Sequence, residues 1–260
     1  MPAIVDQMGR LVNVERPPQR IVSTVPSQTE LLFDLGLGNR LVGRTRFCVH
    51  PAALVKAIAN IGGTKKLNLQ LIDELRPDLV IANKEENEKH DIDYLASKYP
   101  VYLSDVGDLD SALSMITQVG ELTYSQNRAN KLVADISTAF NEIPKFEGSA
   151  AYFIWYNPYM VVGHSNYIHN IISLLGFENA FRTQPRYPEV SIADLEELNP
   201  DYLLFSSEPF PFGQKHLDEM KEHLPNTQAV LVDGEMFSWY GSRMLKAADY
   251  FKQLYTELSR

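Results

Sequence analysis

The sequence predicts an α/β protein of two Rossmann-like lobes with parallel-rich sheets, joined by one long helix, with a ligand cleft between the lobes. Three observations predict it. First, Asp73-Glu74-Leu75-Arg76-Pro77-Asp78-Leu79-Val80-Ile81 returns as Glu196-Glu197-Leu198-Asn199-Pro200-Asp201-Tyr202-Leu203-Leu204, a helix end, a Pro-Asp turn and a buried strand. Second, Leu35-Gly36-Leu37-Gly38-Asn39 is echoed by Leu175-Gly176-Phe177-Glu178-Asn179, each after an apolar helical run. Both echoes keep their order, as a duplicated unit would. Third, Ala129, Leu132, Val133, Ile136, Ala139, Phe140 and Ile143 form one unbroken helical stripe in mid-chain.

The first lobe, 1–124, alternates strand and helix. Ile21 to Thr24 is a short apolar strand, and Pro26-Ser27 opens a helix with Glu30 three residues after Ser27, as in a capping box. Leu41 to Gly43 is a strand, Leu69 to Leu75 a helix, Leu79 to Ala82 a strand, Glu88 to Lys98 a helix and Val101 to Leu103 a strand. This order argues for a parallel sheet covered on both faces. Residues 109 to 120 read as helical. The connecting segment, 125–144, starts near Ser125 and is stopped by Pro144. At about 1.5 Å per residue it is a rod of roughly 28 Å. That length suits a connector between lobes, and a surface helix of the first lobe is the competing reading.

The second lobe, 145–260, opens with strands at Ala151 to Trp155 and Met160 to Val162. Helices follow at Tyr167 to Leu175 and Ile192 to Leu198, then a strand at Tyr202 to Phe205. A helix over His216 to His223, a strand over Ala229 to Val232 and a closing helix over Ser242 to Leu258 complete it.

A chain of 260 residues with 45% hydrophobic and 22% charged residues has enough core for two lobes. Its net charge of −9 argues against nucleic acid and anionic membrane as partners. The single cysteine, Cys48, excludes an intramolecular disulfide and a multi-cysteine metal site. No run approaches the roughly 20 apolar residues of a membrane span. The start, Met1-Pro2-Ala3-Ile4-Val5-Asp6, lacks a basic, apolar leader. Either Met1 is the native start of a cytoplasmic protein or a leader has been removed.

Ligands of open α/β sheets bind beyond the carboxyl ends of the strands. Those segments hold Gln28, then Arg46, Phe47 and His50, and, in the second lobe, Trp155 and Tyr156, Arg186 and Tyr187, and Trp239, Tyr240 and Arg243. Both tryptophans of the chain are among them. Aromatic and cationic side chains together suit a large, flat, partly anionic ligand; rings packing loop onto loop is the alternative. Arg243 either meets a ligand anion or ties its own loop to the last helix. Cys48 and His50 point the same way if their segment is extended, which makes a weak soft-metal site. His164 and His169 are spaced wrongly for one helix face, and His90, His216 and His223 read as surface histidines. The Lys84 to Lys89 run reads as a solvated helix start. Gly36-Leu37-Gly38 follows a helix, so C-capping explains it better than a nucleotide site.

Asp6-Gln7-Met8-Gly9-Arg10, Pro17-Pro18-Gln19-Arg20-Ile21-Val22-Ser23, Pro26-Ser27-Gln28-Thr29-Glu30-Leu31-Leu32, Gly62-Gly63-Thr64 and Asn68-Leu69 together resemble the helical-backbone solute receptors of ABC importers. That group holds cobalamin-, siderophore- and haem-binding proteins, and the cobalamin-binding branch is the most similar. The resemblance covers nearly the whole chain. It implies a non-enzymatic, monomeric receptor for a small-molecule metal chelate or corrinoid, with cobalamin, a ferric siderophore or haem as ligand and no required cofactor. It implies a periplasmic location if a leader was removed, and an ABC permease as partner. Family members dock through one acidic residue on each lobe; those positions fall on Gln70 and near Ser238, neither acidic, so docking of that kind should be weak or absent. Glu235, Asp73 or Glu74 could substitute if the docking surface has shifted. The alternative function is a corrinoid- or tetrapyrrole-processing enzyme such as a metal chelatase. It needs a base or metal pair, for which only Cys48, His50 and His164 are available.

Overall fold

The structure is a computed structural model and describes residues 3–259. The described chain falls into two compact units. The first takes the residues up to Val106, Asp110–Thr138 and Trp239–Leu245; the second takes Gly107–Leu109, Ala139–Ser238 and the residues from Lys246 on. Two features differ from the linear division 1–124, 125–144 and 145–260. The mid-chain helix is divided, most of it lying with the first unit, and Trp239–Leu245 returns to the first unit from within the sequence of the second.

The first unit opens with a hairpin of β1 (Ala3–Val5) and β2 (Leu11–Asn13). Its turn is closed by the buried carboxylate of Asp6, which accepts from the backbone N–H groups of Met8 and Arg10 and from the Arg10 guanidinium. The sheet follows: β3 (Ile21–Ser23), α1 (Pro26–Asp34), β4 (Leu41–Arg44), α2 (Ala52–Val55) and β5 (Ala59–Asn60). A small hairpin of β6 (Gly62–Gly63) and β7 (Lys66–Leu67) leads to α3 (Leu69–Leu75), β8 (Leu79–Asn83), α4 (Lys89–Ala96) and β9 (Val101–Ser104). Strand order is β5-β4-β3-β8-β9, every pair parallel. Both faces are covered, so β3, β8 and β9 are buried along their whole length, as continuous apolar runs require. Then come α5 (Leu109–Thr123) and α6 (Gln126–Asn141), close to the expected helical limits. A Cβ at Gly120 would lie 2.3 Å from the Cβ of Ala129, so only glycine allows α5 and α6 to approach this closely.

The second unit has its own sheet and core. Its elements are β10 (Ser149–Trp155), β11 (Tyr159–Val161), α7 (Tyr167–Leu174), β12 (Glu178–Asn179), β13 (Glu189–Val190), α8 (Ile192–Leu198), β14 (Tyr202–Ser206), α9 (Gln214–His223), β15 (Gln228–Val232), α10 (Gly234–Ser238) and α11 (Met244–Leu258). The path is β13-β11-β10-β14-β15, with β12 beside β10. Strands β10, β12, β14 and β15 run parallel, while β11 and β13 are antiparallel additions. Phe153, Phe205, Phe212, Leu195 and Met220 centre its core; Val22, Val80, Ile72 and Leu95 belong to that of the first unit.

The echoes in the sequence are two repeated pieces of stereochemistry. Gly36 and Gly176 have φ of +80° and +101°, and each closes a Schellman motif. Leu37 N–H donates to Leu32 O and Gly36 N–H to Phe33 O; Phe177 N–H donates to Ile172 O and Gly176 N–H to Ser173 O. At the other echo, Arg76 and Asn199 cap α3 and α8 in the left-handed region, at φ of 45° and 42°. Pro77 and Pro200 forbid continuation of the helix. The aspartate that follows clamps the start of the adjacent parallel strand. Asp78 accepts from the backbone N–H groups of Gln19 and Arg20, both at 2.8 Å, ahead of β3. Asp201 accepts from Ser149 N–H at 2.7 Å and Ser149 Oγ–H at 2.8 Å, at the start of β10. These donors hold the Asp201 carboxyl below the usual carboxylate range. A depressed carboxyl contributes stability above its unfolded pKa, about 3.9, and loses it as pH falls through the folded value. Asp78→Ala and Asp201→Ala should each cost about 1 kcal/mol in urea unfolding. The Asp201 variant should also lose part of the acid sensitivity below about pH 4. Wild-type midpoints in both variants would show that the aspartates are not clamps.

The expected capping box at Ser27 is absent. The helix α1 starts at Pro26 behind Val25, with no side-chain cap, and Glu30 bonds elsewhere.

Candidate ligand-binding site

The parallel sheet of the first unit ends at Ser23, Arg44, Asn83 and Ser104, and the segments leaving this edge carry Gln28, Arg46, Phe47, Cys48 and His50. Beneath them lies a buried polar floor. Gln28 Nε2 donates to Ser104 Oγ at 2.5 Å, Asn83 Nδ2 to the same oxygen at 3.1 Å, and Ser104 Oγ–H to Ala82 O at 3.0 Å. Asn87 Oδ1 accepts from Thr24 Oγ1 at 2.7 Å and Asn83 N–H at 3.0 Å, and its Nδ2 donates to Thr64 O. Buried networks of this kind fix loops that would otherwise move, although Gln28 Oε1 has no partner among the described residues. Gln28 therefore belongs to the floor, fully buried. The segment 84–88 is not an exposed helix start: Asn83 Oδ1 accepts from the N–H groups of Glu85 and Glu86, and the helix begins only at Lys89.

Above the floor is an aromatic surface. Phe47 is 47% exposed with the Arg46 guanidinium 4.8 Å from its ring centroid, and both lie against Gly63. Trp239 is half-buried. His50 meets it edge-on at 5.5 Å, and the Arg243 guanidinium lies 4.8 Å from its ring. Tyr240 is buried beside it; burial, then the Glu86 carboxylate, pushes its hydroxyl well above the ordinary value, and Ser27 and Ser104 bond it. Trp239, Tyr240 and Arg243 follow the sequence of the second unit, yet the fold makes them part of the first, with Trp239 against His50 and Arg243 against Glu30.

Three expectations change. Cys48 is not a metal ligand: it is 1% exposed and accepts from Thr29 Oγ1 at 3.0 Å. Its segment is a turn, with Cys48 N–H bonded to Thr45 O, so the alternation of an extended strand does not apply and only His50 faces Trp239. Burial pushes the Cys48 thiol up, disfavouring the thiolate a metal needs. Arg243 is not offered to a ligand anion: it is 4% exposed and donates through Nε and Nη2 to Glu30 at 2.7 and 2.9 Å. His216 is not a surface histidine but 3% exposed among Tyr156, Phe210 and Phe212, with Nδ1 accepting from Gly213 N–H at the start of α9. Among the described residues, no group of three or more His, Cys, Asp or Glu side chains could hold a metal.

The second unit carries the other nominated residues. Trp155 ends β10, 42% exposed, with its ring 5.8 Å from Phe210. Tyr156 follows it, 5.6 Å from Phe210, and donates to Glu219 Oε2 at 3.2 Å. Arg186 and Tyr187 lie in the bend that leads to β13, Arg186 with φ of 61°. Arg186 O accepts from Gly163 N–H, and its guanidinium lies 5.5 Å from the Tyr187 ring. Sequence reading missed Glu30, Glu86 and Phe210. Glu30 carried a false capping signal and Phe210 sits in a Pro-rich loop with no periodicity to mark it.

Residues 21–230 match the family described as periplasmic binding protein. A vitamin B12-binding protein of Vibrio campbellii is 27% identical over 241 residues, covering 89% of this chain and 87% of that protein. The periplasmic haem-binding protein RhuT from Roseiflexus has the same fold, with a TM-score of 0.80 at 20% identity, covering 93% of this chain and 99% of RhuT. So does the periplasmic vitamin B12-binding protein BtuF of Vibrio cholerae, with a TM-score of 0.77 at 20% identity, covering 94% and 99%.

Proposed function

The chain belongs to the periplasmic binding protein family, and from that premise we propose that it binds a corrinoid of the cobalamin type and delivers it to an ABC importer. The observation that carries the choice of ligand is the charge at the aromatic surface. Arg243 is engaged by Glu30, and Glu86 stands close enough to Tyr240 to act on its hydroxyl. Haem would bring two carboxylates to this edge, where like charges cost free energy. A corrin ring brings amides, which hydrogen-bond to either kind of partner and need no cation. Phe47, His50 and Trp239 supply the apolar and ring contacts, with Arg46 as the exposed cation. Trp155, Tyr156, Arg186 and Tyr187 are proposed as the contacts from the second unit. The vitamin B12-binding relatives support the same ligand class. Titration with cyanocobalamin, cobinamide, haemin and a ferric hydroxamate siderophore, followed by the visible spectrum, tests the reading. Tightest saturable binding of a corrinoid is expected; tighter binding of haemin would replace the corrinoid with the tetrapyrrole carboxylate.

The partner follows from the family, and we place the protein outside the cytoplasmic membrane with the family's other members. No helix among the described residues is long and apolar enough to cross a membrane. Docking cannot use Gln70 and Ser238 directly, but each bonds a glutamate. Gln70 Nε2 donates to Glu74 at 3.0 Å, and Ser238 Oγ–H to Glu208 at 2.8 Å. Asp73 is held instead by Tyr94 and Tyr99 hydroxyls and Lys98, chiefly Lys98, which lowers its carboxyl to about 2. We therefore assign docking to Glu74 and Glu208. Each Glu→Gln change should weaken capture by the importer permease by about 2–5 kcal/mol where the pair is desolvated. Undiminished, salt-sensitive capture of the double variant would move the docking charge elsewhere, Glu235 first.

A further inference from the structure

The aromatic wall at Trp239 is reached by the chain only after it has built the sheet of the second unit, and a buried ion pair ties the same segment to α1. Arg243 and Glu30 are 213 residues apart in sequence, and their side chains are 5% and 6% exposed. The guanidinium makes two bonds to the carboxylate, Nε to Oε2 at 2.7 Å and Nη2 to Oε1 at 2.9 Å. The same guanidinium lies 4.8 Å from the Trp239 ring centroid, while His50 closes on that ring edge-on at 5.5 Å. Glu30 itself is rooted in α1, within an unbroken buried run from Ser27 to Leu32. A planar fork fixed at one edge by a carboxylate can hold a ring against its face; an ammonium cannot.

We infer that Glu30 is a positioning residue for the ligand site: acting through Arg243, it holds the Trp239 ring as a preformed wall, so that little ordering is left for the ligand to drive. This rests on the reading that Trp239 contacts the ligand. The chemistry is that of preorganisation, in which a side chain fixed before binding saves the cost of fixing it during binding. It also assigns the pair a role that a purely structural ion pair would not have. The segment Trp239–Leu245 is pinned to the first unit, and the orientation of one ring depends on that pin.

The test uses the chain's two tryptophans. Accessibility is read in a Trp155→Phe background, where Trp239 is the sole indole and acrylamide quenching with time-resolved anisotropy reports its accessibility and freedom without any ligand; affinity is read with Trp155 intact. Arg243→Lys keeps the charge and removes the fork. It is expected to raise the quenching constant of Trp239 about twofold or more and to weaken cyanocobalamin binding about tenfold, with the circular dichroism of the fold retained. Glu30→Gln should act in the same direction. If it fails to fold, the double variant Glu30→Gln/Arg243→Gln, which removes both charges of this pair, takes its place. Unchanged Trp239 accessibility in Arg243→Lys overturns the inference, whether or not affinity falls, because the pair would then act by another route. Increased accessibility with unchanged affinity also overturns it. If no chelate binds the unmutated protein, the proposed function fails on its own, and the accessibility readout still decides whether Glu30 and Arg243 position the ring.

Discussion

Replacing Glu30 with alanine is expected to lower the stability of the protein by about 3–5 kcal/mol, the cost of leaving a buried charge without its partner. Arg243 is 4% exposed, and it would lose both bonds to the carboxylate while remaining charged. Its guanidinium has few ways to reach water, because Trp239 covers it and α1 lies beneath. Urea denaturation followed by far-ultraviolet circular dichroism measures the loss. The double change Glu30→Gln/Arg243→Gln should be milder than Glu30→Ala alone, since removing both charges removes the uncompensated one. A single-variant loss below about 1 kcal/mol would mean that solvent reaches the pair, as at a surface salt bridge.

Replacing Trp239 with alanine is expected to weaken ligand binding by about 1–3 kcal/mol, or roughly ten- to a hundredfold in Kd. A half-buried indole held by Arg243 and edged by His50 has lost its freedom before the ligand arrives. Truncating it removes an anchor without removing the charge pair behind it. Phe47→Ala should cost less, because Phe47 is 47% exposed and backed by the flexible Arg46. Calorimetric titration with cyanocobalamin measures both. Equal affinity in Trp239→Ala with the fold intact would take Trp239 out of the site.

The elements that positioned these residues were legible where local rules govern. Leu-x-Pro-Asp announced a helix end, a turn and a strand, and Gly36-Leu37-Gly38 a helix C-cap, because each is decided within a few residues; the left-handed caps and Schellman bonds are what the structure adds. The eight strands that sequence reading placed, at β3, β4, β8, β9, β10, β11, β14 and β15, are short, largely apolar runs. The two-residue strands β5, β6, β7, β12 and β13 are too short to carry a period. At the site the failures are long-range. Glu30 looked like part of a capping box because Ser27 stands three residues before it, yet a guanidinium 213 residues away outcompetes the helix start. Cys48 and His50 were paired by assuming an extended segment, and a turn sent the thiol inward to Thr29. His216 lies in a charged stretch that reads as surface, but aromatic side chains from three loop positions enclose it. Residue types at strand ends could be found by sequence; which of them face a ligand could not.

The decisive measurement is one equilibrium titration of the unmutated protein with cyanocobalamin, followed by quenching of the fluorescence of its two tryptophans, Trp155 and Trp239. Saturable quenching with one ligand per chain, reversed by competing cobinamide, is the expected result. Absence of saturable quenching, together with unchanged visible spectra for haemin and ferric hydroxamate, would contradict the proposed function.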